Sequence, residues 1–329
     1  MKTALSALQK EAARILEEEL VDLLIGFAAG SVPFRARPVA IREPAAAREL
    51  VINGLCGSNL ATYLTHRPAV ERIGMVCRGC ESRAVRALVI EKQHARDRLY
   101  IIGVPCQGVF DPARILAEAG EELLWIKEAD QSVIAGTPNG EIRMDRRKLL
   151  HDACRHCRYP NPVGADVVIG APVTPAAPPA AQNPVDAFAA QDAETRHAFF
   201  AAETGRCIRC YACRDACPMC YCSQCFVDHT APRWIETSTS PAGNQAWHLI
   251  RAFHQTGRCV ACGACERACP MHIRMTYLTD RLNRHVADAY GFVVGEDEEQ
   301  APPFATFSMD DADGFADGFT DNLGDGSKG

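Results

Sequence analysis

Apolar residues recur at helical spacing over Met1 to Leu20, where Leu5, Leu8, Ala12, Ile15, Leu16 and Leu20 fall on one face and predict an amphipathic helix. The period then changes. Val21 to Gly26 and Val39 to Ile41 are short apolar runs that predict buried strands. Ile73 to Val76, Leu99 to Ile102 and Asp166 to Ile169 are three more, and helical patterns over Glu81 to Gln93 and Asp111 to Ala119 follow the first two of these. Strands alternating with helices imply βαβ units and a mostly parallel sheet, so residues 1–170 are expected to form an α/β domain. Residues 171–184, rich in Ala and Pro, suit an extended linker. Helical patterns return at Val185 to Ala202, at Gly243 to Gln255 with Trp247, Leu249, Ile250 and Phe253, and at Met271 to Val286. They frame a second domain, 185–290. Beyond Gly291 the chain is acidic and rich in Gly and Asp, so 291–329 is expected to be a disordered tail. Phe304, Phe307, Phe315 and Phe319 punctuate that tail as candidate docking points.

Charge and cysteine content change this picture. The net charge is −6, but after residue 295 ten acidic residues face Lys328 alone, which leaves the body at about +3. A nearly neutral body points to no nucleic-acid partner. No signal peptide is legible, and no apolar run is long enough to span a bilayer. Seventeen cysteines in such a chain read as metal ligands in a reducing cytoplasm rather than as disulfides.

Eight of them form a repeat. Cys207, Cys210, Cys213 and Cys217 precede Pro218, and Cys259, Cys262, Cys265 and Cys269 precede Pro270. Each run is C-x2-C-x2-C-x3-C-P, the spacing that holds 4Fe–4S clusters, with the fourth Cys of each run serving the other cluster. The crossed assignment puts Cys207, Cys210, Cys213 and Cys269 on one cluster, and Cys259, Cys262, Cys265 and Cys217 on the other. A single such run is shared with zinc sites, but two complete copies leave zinc little room. The second domain is therefore expected to be an α+β, ferredoxin-like dicluster fold, with a long insertion between its runs.

The other nine cysteines form two groups. Cys220, Cys222 and Cys225, with His229, suit a Cys3His zinc site. Alternatively, Cys220 or Cys222 substitutes for Cys217, or all three are buried thiols. Cys56, Cys80, Cys106, Cys154 and Cys157 are candidates for a third 4Fe–4S cluster, several lying just beyond the carboxyl ends of predicted strands, where open sheets bind ligands. Cys154 and Cys157 are the leading pair. Cys77, in the same region, reads as a buried hydrophobe.

Gly103-Val-Pro-Cys106-Gln, the later Cys154-x2-Cys157 and Gly164 to Gly170 resemble the beta subunits of deazaflavin-reducing hydrogenases and archaeal formate dehydrogenases. The run from Cys207 through Cys222 is similar to the cluster region of the formate dehydrogenase beta subunit in particular. The resemblance covers about residues 50–285. It implies an iron–sulfur chain, an FAD site, and partners that are formate dehydrogenase, hydrogenase or heterodisulfide-reductase-like subunits. The chain departs from the family near its N-terminus, where no Ser-Gly-Gly segment occurs and Gly26 to Ser31 is a poor substitute; no G-x-G-x-x-G is present either. No acid–base pair or nucleophile stands out as catalytic. The leading expectation is an electron-transfer subunit of a soluble oxidoreductase complex. The rival is an FAD enzyme acting on a nicotinamide or deazaflavin coenzyme, and a weaker third reading is a scaffold with structural or sensing clusters.

Overall fold

The computed structural model describes residues 2–32, 34–68, 70–120, 122–129, 131–175 and 184–305. Chain order runs α1 (Lys2–Glu17), β1 (Leu23–Ala29), β2 (Ala36–Ile41), β3 (Ile73–Cys77), α2 (Gly79–Ile90), β4 (Leu99–Gly103) and α3 (Pro112–Ala119). Next come β5 (Trp125–Ala129), β6 (Ser132–Thr137), β7 (Gly140–Asp145), α4 (Arg146–Leu149), α5 (Asp152–Arg155) and β8 (Val167–Val168). Helices α6 (Pro184–Ala189), α7 (Ala193–Gly205), α8 (Ala212–Asp215), α9 (Pro241–His254), α10 (Ala264–Ala268) and α11 (Thr276–Tyr290) complete the chain.

The apolar runs pair as a five-stranded sheet in the order β2-β1-β3-β4-β8. Every pairing is parallel except β1 with β2. Alternate residues point to opposite faces. Leu24, Val76 and Ile102 bury against Leu8, Ala12, Ile15 and Leu16 of α1 on one face. Ile25, Met75 and Ile101 bury against Ala84, Val85 and Leu88 of α2 on the other. Each fully buried side chain of this size contributes roughly 1.5–3 kcal/mol. Leu20 was expected on the α1 stripe but is exposed, because the helix ends at Glu17 and Glu19 turns into the left-handed region.

The second face does not stop at α2. Met219, Val260, Val286, Phe292 and Val294 belong to the same buried cluster, so the two expected domains share one hydrophobic core. Polar ties reinforce it: Arg258 forks onto Glu91 at 2.8 and 2.7 Å, Tyr221 bonds the same carboxylate, and Arg267 donates to the Gly57 carbonyl at 2.6 Å.

Several expectations are corrected in detail. Strands β5, β6 and β7 form an antiparallel sheet, which closes a separate core with Phe110, Ile115 and Leu149. The predicted helix 185–202 is two helices, α6 and α7. The helix after the second run starts at Thr276 rather than Met271, since His272 is left-handed. The described residues from 184 to 305 form helices and turns with no strand among them, because the cysteine runs themselves occupy the turns. The tail begins later than composition suggests: Phe292 and Val294 are buried, and Arg83 donates to the Val294 carbonyl through Nε and Nη2 at 3.0 and 2.7 Å. Phe304 packs edge-on to Tyr290. Phe307, Phe315 and Phe319 lie outside the described residues. Of the expected linker, Val173 is held by both side-chain atoms of Asn161 at 2.8 Å, and 176–183 lie outside the described residues.

Candidate iron–sulfur centres

The two C-terminal runs adopt the same backbone. The second residue after each leading cysteine, Arg209 and Ala261, is left-handed (φ 55° and 54°), and so is the fourth, Tyr211 and Gly263 (φ 58° and 68°). That strained alternation bends each run around a point. It also turns backbone N–H groups inward: Arg209 donates to Cys207 Sγ and Ala261 to Cys259 Sγ, both at 3.4 Å. Amide donors on sulfur favour the thiolate, the form that binds metal. Short helices α8 and α10 follow and carry Cys213 and Cys265. Two asparagines brace the runs equivalently, Asn244 of α9 donating to the Cys207 carbonyl at 2.8 Å and Asn283 of α11 to the Cys259 carbonyl at 2.7 Å.

Cys207, Cys210 and Cys213 line one small cavity with Cys269 from the other run, walled by Trp247, His248, Met271, Ile273 and Met275. Cys210 reaches the surface beside exposed Ile208. At the second site, burial pushes the Cys259 thiol up to about 12, with the charges of Cys217 and Cys262 adding to it. Cys265 is raised by burial too, and it neighbours Cys217 and Cys259. Each run thus meets the last cysteine of the other. Such thiols become thiolates only where a cation offsets burial, so ligation and deprotonation are linked.

Cys220 lies against Cys217. The hydrogen bond between them raises Cys217 and lowers Cys220, and Gln255 contacts both sulfurs at 3.4 and 3.3 Å. Cys222 is exposed and Cys225 half-buried near Phe226 and Trp247. Among the described residues, no three His, Cys, Asp or Glu side chains converge closely enough to hold a single metal ion; Cys220, Cys222, Cys225 and His229 are among those searched. A tetrahedral zinc site needs sulfurs about 2.3 Å from one ion, a tighter gathering than a cubane requires.

Beyond the carboxyl ends of β3 and β4 opens a cavity of about 770 Å³. Cys80, Cys106, Cys154 and Cys157 all line it, and Cys262 reaches its wall from the second C-terminal site. Cys106 shares one feature of the other runs: Gly108, two residues on, is left-handed (φ 97°) and its N–H lies 3.3 Å from Cys106 Sγ. Burial raises Cys157 to about 11, with Cys154 and Cys106 as neighbours, and it raises Cys80, which neighbours Cys262 and Cys106. Two glycines allow the approach. A Cβ on Gly79 would overlap the Tyr159 carbonyl oxygen, and one on Gly103 would sit 2.7 Å from Pro162. Cys56 does not line the cavity; it is fully buried in the main core, and burial pushes its thiol up to about 12. Cys77 is buried in the same core.

The residues fit clusters in a further respect. Arg209 Nη1, His248 Nε2 and Arg251 Nε are buried without a hydrogen-bond partner, and all three side chains belong to the cysteine sites. Sequence reasoning missed this layer. Of the apolar residues it singled out on α9, Trp247 is buried but Leu249 and Phe253 are exposed, while Asn244, His248, Arg251 and Gln255 are buried. A polar stripe at the same helical period was the available signal.

Known proteins share these segments. Residues 70–181 match the family model for the C terminus of the beta subunit of coenzyme F420 hydrogenase/dehydrogenase. Residues 203–273 match that of the 4Fe-4S dicluster domain. The resemblance drawn from the cysteine pattern therefore stands in both segments, and the C-terminal region is of the 4Fe–4S type. The chain is similar to the F420-dependent formate dehydrogenase subunit beta of Methanocaldococcus jannaschii, 37% identical over 100 residues, which is 30% of this chain and 26% of that protein. It is also similar to the F420-dependent formate dehydrogenase 1 subunit beta of Methanococcus maripaludis, 36% identical over 98 residues, 30% of this chain and 24% of that protein. The match thus spans about a quarter of the length of these curated relatives. A chain of the F420-reducing nickel–iron hydrogenase complex from Methanosarcina barkeri overlays with a TM-score of 0.39 at 16% identity, covering 48% of this chain and 62% of that one. No helix among the described residues is long and apolar enough to cross a membrane.

Proposed function

We propose that this chain is an iron–sulfur electron-transfer subunit of a multisubunit oxidoreductase, working beside formate dehydrogenase, hydrogenase or heterodisulfide-reductase-like subunits. The observation that supports this most is the succession of cysteine groups through one continuous core. Cys80, Cys106, Cys154 and Cys157 line an internal cavity; Cys262 joins its wall to the second C-terminal site; and the first site ends at exposed Cys210. In this reading Cys207, Cys210, Cys213 and Cys269 hold one 4Fe–4S cluster, Cys259, Cys262, Cys265 and Cys217 a second, and the four cavity cysteines a third. When bound, such clusters supply one-electron transfer at potentials set by burial, charge and hydrogen bonds to sulfur. The chain's own residues do the rest. Arg209, Ala261 and Gly108 donate amides to sulfur, Asn244 and Asn283 fix the turns, and Trp247, Ile273 and Met275 exclude water. The exposed edge at Ile208 and Cys210 is where a redox partner would approach. The thiol-rich composition suits a reducing, cytoplasmic compartment, and the domain limits 1–170, 185–290 and 291–329 describe motifs rather than separate cores.

Iron content tests this directly. Anaerobically purified chain should hold about twelve iron atoms, about eight of them in the C-terminal pair. Cys154→Ser should lower the total by about four and leave the C-terminal signals intact. Four or fewer in the folded wild-type chain would sink the proposal.

A second reading has one observation in its favour. A cavity of about 770 Å³ lies in the size range of cofactor sites, and Arg78, Arg83, Arg146, Arg147 and Arg158 line it. An anionic flavin such as FAD suits that wall, which would make the chain a flavin-bearing subunit reacting with a nicotinamide or deazaflavin coenzyme. Flavin released on denaturing the anaerobically purified chain would favour this reading, and turnover of either coenzyme by the single chain with FAD added would establish it.

A further inference from the structure

Helix α9 touches both C-terminal cysteine sites: His248 lines the first and Gln255 contacts the Cys217 and Cys220 sulfurs, while Arg251, between them on the same stripe, is only 5% exposed. Its Nη2 donates to the Cys213 carbonyl at 3.0 Å, and Nε has no partner. Burial acts against the Arg251 charge, and Cys265, Cys220, Cys217 and Cys213 act in its favour. Cys213 belongs to the first site, and Cys217 and Cys265 to the second. A buried guanidinium without a carboxylate is costly unless another negative charge faces it. Thiolate-bound clusters are such a charge, and they gain one more negative unit on reduction.

Resting on the cluster reading above, we propose that Arg251 is an electrostatic positioning residue serving both C-terminal clusters. Its fixed charge favours the reduced state of each and so raises their reduction potentials. The effect reaches both sites, because Arg251 bonds the Cys213 carbonyl of the first while its own helix contacts Cys217 of the second through Gln255. Arginine suits this role better than lysine, since its fork is permanently charged and weakly hydrated.

The test uses the full chain, reconstituted anaerobically, as wild type, Arg251→Gln and Arg251→Lys. Iron content and spectroscopy first establish that two C-terminal clusters are present; a wild type without them refutes the cluster reading and is independent of Arg251. Redox titration then reads the midpoints. In Arg251→Gln the midpoints of both sites should fall, at least one of them by a tenfold change in the reduction equilibrium, about 59 mV for one electron. Arg251→Lys should restore most of both. Unchanged midpoints in Arg251→Gln with full iron overturn the proposal. If Arg251→Gln loses iron, a Lys variant with full iron and near-wild-type midpoints still supports the role of charge. A Lys variant that loses iron as well, or that shifts as far as Gln, overturns it in favour of packing.

Discussion

Replacing Glu81 by Gln tests how the cavity end of the sheet is held. Arg78 and Glu81 are an ion pair at 2.7 Å with side chains 3% and 0% exposed. Glu81 Oε2 accepts the Arg78 backbone N–H and Nε at 2.8 and 2.9 Å, and Oε1 accepts Arg78 Nη2 and the Leu60 N–H at 2.7 and 3.1 Å. Arg78 in turn donates to the Cys56 and Ser58 carbonyls at 2.5 and 2.7 Å, which ties the loop before Leu60 to the start of α2. The substitution keeps the shape and one acceptor oxygen but leaves a buried guanidinium with only carbonyls to face. Removing one partner of a buried pair costs about 3–5 kcal/mol, and the retained hydrogen bonds place Glu81→Gln near the low end, about 3 kcal/mol. Equilibrium urea unfolding under anaerobic conditions measures it, with Glu18→Gln as the control. Glu18 pairs with Arg14 on an exposed helix face, where the loss should be within about 0.5 kcal/mol. Equal costs for the two variants would refute the claim that the buried network organises this end of the fold.

Cys217→Ser should abolish the signal of the site containing Cys259, Cys262 and Cys265 and spare the other; the reverse result, with Cys220→Ser destructive and Cys217→Ser silent, would assign the ligand to Cys220. Gly79→Ala should lower iron by about four, because its Cβ would strike the carbonyl oxygens of Tyr159 and Asn161 and push Cys157 away from Cys80; unchanged iron counts against the third site. The bond from Arg14 holds the Glu11 carboxyl below its usual range, with Tyr100 assisting. Its stabilising contribution is therefore complete above the unfolded value near 4.5 and lost as pH falls through the lower folded value. Unfolding midpoints of wild type and Glu11→Gln should differ at neutral pH and converge in acid, and a constant gap would contradict this.

The dicluster runs are legible in the sequence because their chemistry is local. Three cysteines with two residues between each, followed by a fourth and a proline, dictate a turn, and the left-handed residues 209, 211, 261 and 263 are that turn realised. The parallel sheet is legible too, since β1, β3 and β4 are buried on both faces and so read as unbroken apolar runs. The β5-β6-β7 sheet was not read, although Pro138-Asn139 is a turn signal between its last two strands. Other features depended on contacts between residues distant in the chain. Five cysteines in the α/β region were candidates, with Cys154 and Cys157 leading, and only packing separated Cys80, Cys106, Cys154 and Cys157 on a cavity wall from Cys56 in the core. Nothing in the composition of 291–296 said that Arg83 would hold Val294. On α9, the apolar pattern marked buried Trp247 but not the polar residues buried beside it. A helix packed against sulfur sites turns its donors inward, so Arg251 and Gln255 are buried while Phe253 faces solvent. Hydrophobic pattern predicts an interior made of hydrocarbon, and only the tertiary structure reveals where the interior is instead a set of thiols that need charge and hydrogen bonds.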